Sequence, residues 1–216
     1  MLGLIEKDLR LTIQRKQTVA IFVVMALVLG ISGSGTFAVA YLTILAGIVA
    51  TGTLSYDEFD NGLEFLMTLP IDRKTYIREK YLFTTAACTI GWCISLVLYV
   101  VCENFRGTNV NLLEQLPVLF IILPGMVVVS TIILPLQLKF GTEKGRIVLF
   151  AVVGCLSVAI VAVNHMFVST TDALSFIYSM QGISVGTVII VFLAICVLVG
   201  FISYFCSIRI MQKKEL

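Results

Sequence analysis

Residues 36–81 read TFAVAYLTILAGIVATGTLSYDEFDNGLEFLMTLPIDRKTYIREKY, and the change of character after Tyr56 decides the fold. Residues 36–56 carry no charge, and about 20 mostly apolar residues are what a helix needs to cross a bilayer. The 25 residues that follow hold ten of the chain's 28 charged side chains. An apolar helix that ends in so dense a polar segment is a membrane span meeting water.

The rest of the chain repeats that alternation. Of its 216 residues 59% are hydrophobic and 13% charged, with a mean hydropathy of +1.04, whereas a soluble domain is roughly a quarter charged. An all-α polytopic membrane protein is expected, as one transmembrane domain over residues 1–216. Six spans are predicted at residues 18–32, 36–56, 82–102, 116–138, 147–168 and 185–208. The first is short and must borrow a turn from the segment before it or lie at a slant.

Orientation follows from the lysines and arginines near the span ends. Lys7, Arg10, Arg15 and Lys16 precede the first span, and Arg73, Lys74, Arg78 and Lys80 lie between the second and third. Lys139, Lys144 and Arg146 separate the fourth from the fifth, and Arg209, Lys213 and Lys214 follow the sixth. All of these fall on one side of the predicted membrane, and only Arg106 falls on the other. Both termini are therefore expected in the cytoplasm.

Several function classes lose support. A net charge of +2 with dispersed basic groups offers no nucleic-acid surface. The six cysteines sit inside apolar runs without CxxC spacing, so no metal ligand set is predicted. A basic N-terminus before an apolar run resembles a signal peptide, but Glu6 and Asp8 lie within it and no A-x-A site follows. None of the predicted spans contains a charged side chain, which a proton- or cation-coupled carrier normally requires. Asn164 and His165 stand at the outer boundary of the fifth span, where a hydrated interface role suffices.

Enzyme motifs fare no better. Residues 182–186 match G-x-S-x-G, but this serine begins a span near the outer surface and the single histidine precedes it in the chain, the reverse of the rhomboid-like order. Residues 141–146, GTEKGR, lack the Lys-Ser or Lys-Thr of a phosphate loop and have no room for its strand and helix. No catalytic residue is expected, and any ATP-driven step needs another chain.

Three cytoplasmic pieces could receive force. In residues 1–17, Leu2, Ile5, Leu9 and Ile13 recur at helical spacing while Glu6, Lys7, Arg10 and Gln14 fall on another face, which predicts an amphipathic helix at the inner membrane surface. In residues 57–81, acidic Asp57, Glu58, Asp60 and Glu64 lead to an exposed apolar knob, Phe65-Leu66-Met67, and Leu69-Pro70 ends the helix. Asp72 can cap a second helix whose Arg73, Lys74, Arg78 and Lys80 face the cytoplasm. Two readings of the knob stay open on residues alone: docking into a partner's groove, or folding back onto the lipid surface. The third piece is the short loop after the fourth span.

These pieces carry a resemblance. Tyr56-Asp57-Glu58 followed by NGLEFLMTLPIDRKTYIREKY resembles the second-to-third connection of small ABC-2-type permeases, in which an acidic stretch leads to L-x-x-L-P-[IV]-x-R. The N-terminal L-I-x-K-D-L and the later PLQLKFGTEKGR resemble the same family, most nearly the small permeases of bacterial exporters for amphipathic peptides such as phenol-soluble modulins. The resemblance implies a multi-pass subunit of a bacterial cytoplasmic membrane that pairs with a second permease, as homodimer or heterodimer, and with a separate ATP-binding subunit that holds ATP and Mg. It implies a coupling helix over about Asp57 to Leu69, so that Asp57, Glu58, Asp60, Glu64, Phe65, Leu66, Met67 and Leu69 face the ATPase. Accessory contacts would come from Ile5, Leu9, Arg73, Lys139, Lys144 and Arg146, and re-entrant helices would lie within residues 169–184. The short first outer loop and the lack of a large extracellular domain argue against lipid or polysaccharide processing. A peptide-binding scaffold or immunity-type protein without transport is the alternative, and a secondary carrier the third.

Overall fold

A computed structural model describes residues 2–33, 35–58, 62–106, 112–141, 144–145, 147 and 185–213. Every regular element among them is a helix: α1 (Leu2–Gln14), α2 (Lys16–Ser32), α3 (Gly35–Thr51), α4 (Thr53–Glu58), α5 (Gly62–Thr68), α6 (Arg73–Arg106), α7 (Leu112–Phe140) and α8 (Val185–Lys213). Four are long and apolar enough to cross a membrane: α3 continued by α4, α6, α7 and α8. A fifth follows if α1 and α2, bent by 65° at Arg15, count as one broken span. The predicted fifth span, apart from Ile147, lies outside the described residues, as do Asn164, His165 and the segment 169–184.

The predicted first span falls on the 17-residue α2, which at about 1.5 Å per residue is about 25 Å long and so short of a ~30 Å hydrocarbon core. α6 has the opposite excess. Its 34 residues extend about 50 Å, and its apolar stretch begins only at Leu82. Arg73 to Tyr81 therefore form a base that precedes the apolar stretch at the N-terminal end of α6.

α3 is the central helix, with half of its apolar window buried. Close packing there depends on missing side chains, as is usual where lipid offers no hydrophobic drive between helices. A Cβ on Gly47 would strike Ser130 of α7 and come 2.9 Å from the sulfur of Cys88, and one on Gly91 would strike Ala46. Gly30 faces Cys102 in the same way at 2.8 Å. The cysteines at 88 and 102 are thus fully buried packing groups.

α7 runs as a single helix through Pro117, Pro124 and Pro135. Pro135 has no N–H for the carbonyl of Thr131, four residues earlier. The hydroxyl of Ser203 on α8 donates to that carbonyl at 2.6 Å, so α8 repairs what the proline removes. Tyr81 of α6 joins the same junction through Ser203 at 2.6 Å and Ser207 at 2.8 Å. Near the other end the indole of Trp92 donates to the carbonyl of Leu119 at 2.9 Å.

Candidate functional site

Five helices meet in one apolar cluster, Leu54 of α4, Leu63 of α5, Tyr76 and Ile77 of α6, Leu138 of α7 and Met211 of α8. The short helix α5 sits on this cluster by one face only. Leu63 is buried, Leu66 and Met67 pack against the cluster from its edge, and Phe65 on the far side is 67% exposed. The expected three-residue knob is therefore corrected to one: the helix's 100° turn per residue sends Leu66 and Met67 inward and leaves Phe65 outward. Glu64 and Leu69 share the exposed side. A cleft of about 420 Å³ opens beside them between α1 and the turn from α5 to α6, lined by Leu4, Lys7, Leu66, Leu69, Asp72 and Thr75.

Behind α5 the charges turn inward. Lys7 of α1 is paired with Asp57 of α4, and Lys80 of α6 is paired with Asp8 of α1; Lys80 also reaches Asp57 at 2.8 Å, and Lys7 reaches Asp8 at 3.3 Å. Two ammonium and two carboxylate groups thus alternate in a ring. Thr53 donates to Asp8 at 3.0 Å and accepts from Lys80 at 3.1 Å, and the Tyr76 phenol donates to Asp57 at 2.8 Å. Asp8, Asp57 and Lys80 are all buried.

The ring perturbs its members. Burial disfavours the Lys7 ammonium, but the hydrogen bond and charge of Asp57, followed by those of Asp8, outweigh it and hold its pKa above the usual lysine range. Burial likewise acts against the Asp57 carboxylate, yet Lys80 and Lys7 keep its carboxyl below the usual range. Tyr76 is pushed well above the ordinary phenol range by burial and then by the charge of Asp57. A ring of alternating opposite charges holds elements in register, whereas loss of one member leaves an uncompensated buried charge.

Two expectations are overturned here. Lys80 does not face the cytoplasm, and Asp57 is not part of an exposed docking face; each is buried because its partner is an opposite charge on another helix. Asp57 belongs to α4, described to Glu58, and the middle of the expected helix from Asp57 to Leu69, residues 59–61, lies outside the described residues. Glu58 is half-buried, with its carboxylate 3.8 Å from where a Cβ on Gly141 would stand. Gly141 takes the left-handed φ of +79° that ends α7. Asp60 and Arg146 lie outside the described residues.

The accessory positions divide. Ile5 is half-buried and Leu9 is 50% exposed on the outward face of α1, whose inward face is Leu4 and Asp8. Arg73 is turned toward α8 and donates to the carbonyls of Met211 and Gln212 at 3.0 and 3.1 Å, satisfying groups that a helix C-terminus leaves open. Lys139 and Lys144 are exposed. Arg15, at the bend between α1 and α2, donates to the Tyr56 hydroxyl at 2.8 Å and lies 4.8 Å over its ring, tying the bend to α4.

Asp8, Lys80 and Tyr76 were not expected in a shared site, though one signal for them existed. The buried stripe of α6 runs Tyr99, Ser95, Gly91, Cys88, Thr84, Lys80 and Tyr76 at steps of three or four. Read backward from the span, helical spacing places Lys80 inside. Among the described residues no group of histidine, cysteine and acids could hold a metal ion.

A family model described as ABC-2 family transporter protein matches residues 3–212. No curated protein and no solved structure matches the chain.

Proposed function

The chain belongs to the ABC-2 family of transporter proteins, and from that premise we propose that it is the permease subunit of an ATP-driven bacterial exporter, receiving force at α5. The family implies a partnership with an ABC ATP-binding subunit, which would hold ATP and Mg. The observation that carries the reading is α5 itself: one face is fixed to the inner apolar cluster and the other presents Phe65, Glu64 and Leu69.

A push on Phe65 is transmitted through Leu63, Leu66 and Met67 to the ends of α4, α6, α7 and α8. The charge ring carries α1 with them, because Asp8 and Lys7 bind α6 and α4 respectively. α5 acts as the coupling helix, Lys139 and Lys144 as rim contacts, and a second permease completes the path. Both termini lie in the cytoplasm. The uncharged spans suit an amphipathic or apolar cargo, with amphipathic peptides the favoured class.

Replacing Phe65 by Asp tests this. With the ATP-binding subunit co-expressed, Phe65→Asp abolishes its co-purification while the permease stays folded in the membrane. Persistence of the complex at wild-type yield sinks the coupling role of α5.

A further inference from the structure

One group at the charge ring is left over. Glu79 is fully buried beside the ring, and neither of its carboxylate oxygens has a hydrogen-bond partner. The ring is already balanced, with Lys7 and Lys80 against Asp8 and Asp57. An ionised Glu79 would add a third carboxylate to two ammonium groups, buried and with no protein donor on either oxygen. A buried carboxylate in that position is costly, and the usual resolution is to neutralise it.

We propose that Glu79 is a proton-binding site, whose single dissociable proton completes the charge balance of the ring and links the seating of α1 to pH on the inner side. Protonated, Glu79 is a neutral neighbour and the ring stays closed. When the carboxyl O–H bond breaks, its electron pair stays on the carboxylate and the proton passes to water. The new charge then repels Asp8 and Asp57 and loosens α1 from α4 and α6. No step of this requires the exporter reading.

The charges around Glu79 are defined on each packed element. Lys80 lies on its own helix, Asp8 and Lys7 on α1, and Asp57 on α4; Tyr76, bonded to Asp57, is the other titratable neighbour. α3 carries no charged residue. Lys16 on α2, Lys139 on α7, and Arg209 and Lys213 on α8 are exposed. Burial, opposed by Lys80 and reinforced by Asp8, pushes the Glu79 carboxyl from 4.5 up to about 7. For an acid so raised, the folded protein keeps a proton that the unfolded chain has released. Stability is therefore full below 4.5 and declines as pH rises to about 7, levelling beyond it. Asp57, held low, acts in the opposite sense at more acid pH, so a difference between variants isolates Glu79.

The test uses the purified full-length chain in lipid nanodiscs. Infrared difference spectra of the wild type should show a protonated-carboxyl stretch that titrates away near neutral pH and is missing from Glu79→Gln. In reversible unfolding, Glu79→Gln should gain on the wild type by on the order of a hundredfold in the folding equilibrium between about pH 5 and about pH 9. No titrating carboxyl band in the wild type overturns the proposal, and that spectrum needs no variant to fold. Equal pH dependence of the two proteins overturns it as well.

Discussion

The base of α6 and its membrane half are both closely packed, by opposite means. At the base, Tyr76 and Lys80 fill their space with polar atoms that find partners on α1 and α4. Some three turns later, Gly91 and its neighbours pack by having nothing to place: Gly91 meets Ala46, and Gly47 of α3 meets Cys88 and Ser130. The base is specific because each charge of the ring lies between two opposite charges. The membrane half is specific because few side chains fit. Failures should differ accordingly, through an unpaired charge in one region and through overfilling in the other.

The sharpest break comes at Lys80. Lys80→Ala leaves Asp8 and Asp57 buried with one ammonium between them and should destabilise by about 3–5 kcal/mol, seen as loss of folded yield or a large fall in thermal midpoint. Gly47→Val tests the other region, where overpacking typically costs about 1–3 kcal/mol, and helix separation should appear as new accessibility of Cys88 to a thiol reagent. If both variants lose stability but only Gly47→Val exposes Cys88, the two modes are distinct. Arg73→Ala removes the donor from two carbonyls of α8 and should cost about 1–2 kcal/mol, read from the unfolding midpoint. The smallest effect is expected at Phe65, whose replacement by Asp should change stability by less than about 0.5 kcal/mol because the ring makes no buried contact to lose. A large loss there would mean that α5 is part of the core rather than its exposed face.

The sequence reading succeeded where a single property decides. Long charge-free runs predict α3, α6, α7 and α8, and Leu69-Pro70 marks the end of α5. It failed where the answer lies in a partner far along the chain. Asp57 and Lys80 look solvent-facing because charged groups usually are, and their burial is intelligible only with Asp8 and Lys7 some 50 or more residues away in the ring. The knob at 65–67 failed for a local reason: three consecutive apolar residues on a helix cannot share a face. Leu4 and Asp8 show the same limit, since the apolar periodicity of α1 marks the exposed side at Leu9 and Ile13 and not the side that meets the protein.

The Pro135, Thr131 and Ser203 junction imposes an order on substitution. A proline at 135 without a donor at 203 leaves a carbonyl unpaired within the membrane, a penalty of about 1–3 kcal/mol, whereas a serine at 203 facing an intact helix is harmless. The permitted history therefore runs serine first and proline second, and once both are in place the serine cannot be lost while the proline remains.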